Sequence, residues 1–169
     1  MNKNILIIEN FLNNQECDIL LQEMSECEFA NKKNTPTFWR NSIKRISFND
    51  KHIHTKLTTN MQNVIEKHFS IKFKNQLNLH SVVWPVGKSM PYHKDYGAEN
   101  EYMDRNYNSL VYLNDDYLGG ELLVPSLNIK LKPKKGTLVA FQGGNTPHGV
   151  GEILQNNRYT VICWWELLI

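Results

Sequence analysis

Met90–Asp95 reads MPYHKD, and it places a histidine and a carboxylate two residues apart. In an extended strand residues i and i+2 project from one face, so His93 and Asp95 can reach one metal ion from the same side. Such a site needs a third ligand. One is available 55 residues on, in NTPHGVGEI, where His148 again follows a proline and leads a short apolar strand. A lone HxD pair is a weak signal in a chain with six histidines. Its surroundings give it weight.

Those surroundings read as strands. From Gln76 onward Leu77, Leu79, Ser81 and Val83 alternate with Asn78, His80 and Val82, and Pro85 with Gly87 breaks the chain ahead of His93. Beyond come SLVYLN (Ser109–Asn114), GGELLVP (Gly119–Pro125), NIKLK (Asn128–Lys132), GTLVAF (Gly136–Phe141) and RYTVICWW (Arg158–Trp165). Short strands at regular spacing with Gly/Pro turns predict a β-sandwich or barrel. The stretch Tyr96–Asn106 is rich in Glu, Asn and Asp, follows the first two candidate ligands directly, and reads as a mobile lid.

The front third is mixed. Ile5–Ile8 is a short strand, Asn13 with Glu16 has the form of a helix capping box, and Cys17, Leu20, Leu21, Met24 and Cys27 follow helical spacing. Lys32 to Thr37, with Pro36, is a loop. Ile46 and Phe48 alternate with polar residues as in a strand, and Asp50 can cap a second helix that buries Ile53, Leu57, Met61, Val64 and Ile65.

At 169 residues the chain is expected to form one domain, with residues 1–75 a mixed helix/strand support and residues 76–169 the β core. Nineteen basic against 17 acidic residues give a net charge of +2, which argues for no nucleic-acid partner. Three cysteines, odd in number and without CxxC spacing, read as free thiols in a reducing compartment. The apolar run Ile5–Ile8, closed by Glu9, is too short for a signal peptide, and no run approaches the roughly 20 residues that span a bilayer. The expectation is a cytoplasmic protein (host cytoplasm if phage-encoded), a monomer or small oligomer that engages no membrane.

Two histidines and one carboxylate with the opposite positions open is an arrangement associated with non-haem Fe(II) oxygenases. The runs WPVGKSMPYHKD, SLVYLND, DYLGGELLVP, KKGTLVAF, PHGVGEI and NNRYTVICWW, in that order, resemble the core of the Fe(II)- and 2-oxoglutarate-dependent dioxygenases, nearest to their prolyl 4-hydroxylase-like branch. The resemblance implies an α+β fold, a double-stranded β-helix (jelly-roll) core with the N-terminal helices packed on one sheet. It makes His93, Asp95 and His148 the iron ligands, with no catalytic side chain beyond the metal centre. Arg158, ten residues after His148, falls where the family binds the far carboxylate of 2-oxoglutarate, and Tyr112 where relatives donate a phenol to it. Arg158 shares a strand face with Thr160, Ile162 and Trp164, so an interior face would leave it buried and in need of an anion. Trp164 matches a position near the substrate. Tyr92 points to the strand face opposite His93 and reads as packing, with the pocket mouth as its other placement. His52, His54, His68 and His80 read as surface or helix-face residues.

By the same resemblance the cofactors are Fe(II) and the cosubstrate 2-oxoglutarate, with ascorbate a further candidate. The activity is hydroxylation of a C–H bond, with a prolyl residue in a peptide or protein as the leading substrate. The alternatives are an oxygenase acting on a small molecule or nucleobase, and a non-catalytic jelly-roll binding module.

Overall fold

Alternation of side chains is what builds this fold, and its first product is a six-stranded antiparallel sheet. The computed structural model describes residues 3–30, 41–95 and 104–168. Strand β1 (Ile5–Ile8) leads to helix α1 (Asn14–Glu26) and the two-residue β2 (Ile43–Lys44). Helices α2 (Lys51–Thr55) and α3 (Met61–Phe69) follow, then β3 (Phe73–Trp84), β4 (Met90–His93) and β5 (Tyr107–Tyr112). The remaining strands are β6 (Leu118–Gly119), β7 (Leu122–Val124), β8 (Ile129–Leu131), β9 (Leu138–Phe141), β10 (His148–Val150), β11 (Ile153–Gln155) and β12 (Arg158–Leu167). The large sheet has the order β1-β9-β5-β12-β3-β2, a second has β4-β10-β7-β8, and β6 pairs with β11.

The two faces of the large sheet bury different things. On one face Val111, Val161, Cys163 and Trp165 join Leu20 and Met24 of α1 and Ile53, Met61 and Ile65 of α2 and α3 in one apolar cluster. On the other, Leu110, Tyr112, Val139 and Phe141 meet Leu122 and Val124 of the second sheet. Residues of even number in β5 and β12 therefore face the space between the sheets, and those of odd number face the helices. This is the mostly antiparallel, helix-poor architecture expected of a 2-oxoglutarate oxygenase jelly roll.

The helices start where the sequence predicts. Asn13 accepts the Glu16 N–H at 2.9 Å while Glu16 accepts the Asn13 N–H at 2.8 Å, a complete capping box. Asp50 accepts the N–H groups of His52 and Ile53. Between α2 and α3, however, Lys56–Asn60 is a π-helical turn rather than the continuous α-helix the pattern suggested. The buried residues Ile53, Leu57, Met61 and Ile65 recur every four positions. A strict α-helix would rotate such a stripe by about 40° per repeat, and the wider π turn takes up part of that drift. Among the described residues no helix is long and apolar enough to cross a membrane.

One strand expectation needs correcting, and two readings fall on residues the structure does not describe. The strand read at Ile46 and Phe48 is instead β2, Ile43–Lys44, and residues 45–50 carry no regular structure. Phe48 has φ +51, which no strand permits, and its N–H is taken by the Glu23 carboxylate of α1 at 3.1 Å. Residues 31–40, with the loop read at Lys32 to Thr37, lie outside the described residues, as do 96–103 of the lid read at Tyr96–Asn106. At the end of that stretch the Asn106 side chain accepts the Leu167 N–H at 2.9 Å.

Candidate active site

Strand register brings the two histidines together. In the β10–β4 ladder His148 stands opposite His93, and their ring centroids are 4.4 Å apart. Each ring is held by the same local device: its Nδ1 lies 2.9 Å from the backbone oxygen two residues earlier, Pro91 for His93 and Thr146 for His148. A carbonyl oxygen only accepts, so each Nδ1 carries the proton and each Nε2 presents its lone pair. Both lone pairs face Asp95, with His93 Nε2 3.7 Å from Oδ1 and His148 Nε2 3.6 Å from Oδ2. One potential ligand atom from each of the three lies within 4.8 Å of the others. Burial pushes the His148 imidazole below its ordinary pKa against the upward pull of Asp95, so the ring is kept in the neutral form a metal requires.

Asp95 is pinned from two sides. Its N–H donates to the Gly143 carbonyl at 3.0 Å, and its Oδ2 accepts from Asn108 Nδ2 at 2.8 Å. The same amide nitrogen is 3.4 Å from His148 Nε2, so Asn108 stands beside two of the three candidate ligands. The sequence reading missed Asn108 because it began the strand at Ser109. Its signal was parity, since positions 108, 110 and 112 share the face of Tyr112. A Cβ on Gly143 would lie 2.5 Å from both Asn108 Nδ2 and Asp95 Oδ2. Gly143→Ala is therefore expected to displace this pair and to weaken Fe(II) binding by about 10- to 100-fold. Titration of the apo-protein with Fe(II) or Mn(II) reads the effect, and unchanged affinity would show the pair to be dispensable.

The trio shares a cavity with Arg158, Thr160, Ile162 and Trp164, walled otherwise by Val82, Trp84, Met90, Leu110, Leu122 and Val150. Arg158 is fully buried. Its Nη1 donates to the Gly120 carbonyl at 2.8 Å, and its guanidinium carbon lies 5.2 Å from the Trp84 ring and 5.5 Å from the Tyr112 ring. The Nε and Nη2 atoms are buried without a partner among the described residues. These two N–H groups form one edge of the guanidinium, the edge that grips a carboxylate with two parallel hydrogen bonds. An arginine buried with that edge unpaired is costly, and a carboxylate ligand removes the cost.

The other sequence candidates divide. Tyr112 is fully buried with its hydroxyl unpaired, although it does not line the cavity itself. Trp164 lines it, with the Arg105 guanidinium 4.1 Å from its ring and the His80 ring at 6.0 Å. His80 is no surface histidine. It is half-buried on β3, and burial together with Arg105 and Arg45 pushes its pKa down to about 4, so it is uncharged at neutral pH. Tyr92 neither packs in the core nor lines the cavity. It is 60% exposed, on the face of β4 opposite His93, where its ring lies beside Gly149 of β10.

Known proteins resemble this chain in sequence and fold. The family model described as the 2OG-Fe(II) oxygenase superfamily matches residues 77–166. Prolyl 3-hydroxylase 2 of Rattus norvegicus is 38% identical over 72 residues, 39% of this chain and 10% of that protein. Prolyl 3-hydroxylase 3 of Mus musculus is 39% identical over 69 residues, 37% of this chain and 9% of the relative. The chain thus spans about a tenth of the length of the curated relatives it matches. Among solved structures, the viral collagen prolyl hydroxylase of Paramecium Bursaria Chlorella virus-1, in its 2OG complex, superimposes with a TM-score of 0.78 at 21% identity, covering 99% of this chain and 98% of that one. A Pseudomonas putida prolyl-4-hydroxylase gives 0.72 at 20% identity, covering 96% and 92%. The family match extends over more than half of the sequence and takes in the trio, Arg158 and Tyr112, and the chain belongs to the 2OG-Fe(II) oxygenase superfamily, enzymes that use Fe(II) and 2-oxoglutarate.

Proposed function

We propose that this enzyme hydroxylates a prolyl residue in a peptide or protein and releases succinate and CO2. One observation carries the reading: a His-Asp-His trio and the unpaired edge of a buried arginine line the same cavity. The prolyl substrate is favoured by the named relatives, among them a Trichoplax adhaerens prolyl hydroxylase solved with a hypoxia inducible factor peptide fragment, which has a TM-score of 0.75 at 17% identity.

When bound, iron with 2-oxoglutarate supplies the oxidising power, one oxygen atom of O2 entering the target C–H bond and the other the succinate. The chain binds and orients. His93, Asp95 and His148 would hold the metal, two neutral imidazoles and one carboxylate leaving a net positive centre for an anionic cosubstrate. Arg158 would take the far carboxylate, its plane set by the Gly120 carbonyl and the Trp84 ring. The apolar walls at Val82, Met90, Leu110 and Val150 would exclude water from the reacting centre. Trp164, between Arg105 and His80, would flank the substrate. The same reading takes the sheets as the double-stranded β-helix of the family with α1–α3 behind the larger one, forming one domain. It places the enzyme in the cytoplasm, in keeping with the free thiols of Cys17, Cys27 and Cys163.

The test is a product screen. The Fe(II)-loaded protein is given 2-oxoglutarate with proline-rich peptides, free amino acids or methylated oligonucleotides, and succinate and oxygenated products are read by mass spectrometry. Peptides should gain one oxygen on proline, and fragmentation assigns the ring position. Turnover driven by an amino acid or an oligonucleotide but by no peptide would overturn the proposal.

A further inference from the structure

We propose that Tyr117 is a further binding residue for 2-oxoglutarate, its phenol serving the far carboxylate together with Arg158 and Tyr112; this rests on the function proposed above. Tyr117 lies in the turn between β5 and β6 and is fully buried in the cluster that holds Tyr112, Leu122 and Phe141. Its hydroxyl has no hydrogen-bond partner among the described residues. A phenylalanine would fill the same apolar space without stranding a polar group, so a tyrosine here calls for an acceptor.

Geometry sets the Tyr117 ring beside the residue that anchors the arginine. Gly120 connects the two residues: its carbonyl receives Arg158 Nη1, and a Cβ on it would stand 3.4 Å from the Tyr117 ring. Burial pushes the Tyr117 phenol up, Tyr112 adds to this and Arg158 pulls against it, so all three groups share one electrostatic neighbourhood. Five polar atoms there are buried and unpaired, namely Arg158 Nε and Nη2 and the hydroxyls of Tyr112, Tyr117 and Thr160. Such a concentration of unmet donors in one place fits an anion with several lone pairs. A carboxylate presents about four, of which the guanidinium edge takes two and two hydroxyls the rest; the third hydroxyl can donate to a phenol oxygen.

Tyr117→Phe removes the hydroxyl and keeps the ring. With Fe(II)-loaded protein under anaerobic conditions, calorimetry compares 2-oxoglutarate with 2-oxobutyrate, which has the oxo-acid end but no far carboxylate. The expected result is a loss of about tenfold in affinity for 2-oxoglutarate. Affinity for 2-oxobutyrate should be unchanged, and the apo-protein should melt at the same temperature or higher, since an unpaired buried hydroxyl is gone. An equal loss for both acids would mean a packing effect and overturn the proposal, as would no loss for 2-oxoglutarate. A parent protein that does not prefer 2-oxoglutarate would sink the functional reading and this inference together. A parent that does, with an unaffected Tyr117→Phe, sinks only the inference.

Discussion

His148→Ala is expected to abolish stoichiometric Fe(II) binding and, with it, all 2-oxoglutarate turnover. The ring sits opposite His93 in the β10–β4 ladder, is fixed by the Thr146 carbonyl and is held neutral by burial. Alanine removes one of the three candidate ligands and leaves the Asp95 carboxylate with a single imidazole near it. His93→Ala should behave alike, whereas Asp95→Gly should end hydroxylation while weak binding by the two histidines survives. Metal analysis of each purified variant after loading and desalting gives the answer. Parent-like iron in either histidine variant would show that the three do not form one site.

Arg158→Ala should weaken 2-oxoglutarate binding by about two to three orders of magnitude. Truncating one partner of a buried charged pair costs roughly 3–5 kcal/mol, and each 1.4 kcal/mol is tenfold. Fe(II) binding should stay near the parent level, because no ligand is lost. Arg158→Lys keeps the charge without the two-pronged edge and should fall between the two. Tyr112→Phe gives up one hydroxyl and should cost about tenfold or less. The dependence of succinate formation on 2-oxoglutarate concentration measures all three. If Arg158→Ala leaves that dependence unchanged, or pyruvate supports the parent as well as 2-oxoglutarate does, the arginine is structural.

Strand alternation was legible because it obeys a local rule. From RYTVICWW alone, Arg158, Thr160, Ile162 and Trp164 fall on one face, and all four line the cavity. The capping box at Asn13 and the cap at Asp50 were legible for the same reason, each needing only its own neighbours. What escaped the sequence depends on distant partners. Phe48 alternates like a strand residue, yet a carboxylate from α1 holds its backbone in the left-handed region. The π turn answers to packing against the sheet, which the four-residue spacing of its apolar residues does not specify. Tyr92 was read as packing, with the pocket mouth as its other placement, but whether an outward face is covered depends on what distant parts of the chain lay over it, and this one is left exposed. Asn108 and Tyr117 escaped because a polar residue inside or beside a strand signals nothing until the topology shows what stands across from it.

The parity of β5 and β12 limits how such a chain can vary in length. Leu110 and Tyr112, with Thr160 and Trp164, look toward the site, and their immediate neighbours Val111, Val161 and Trp165 look toward the helices. A single residue gained or lost inside either strand would exchange the two sets beyond that point, sending an arginine or a phenol into the helix interface and tryptophan into the cavity. Substitutions can be absorbed one at a time on either face, but insertions and deletions have to fall in the turns, so differences in loop length are where related chains can diverge without disturbing the site.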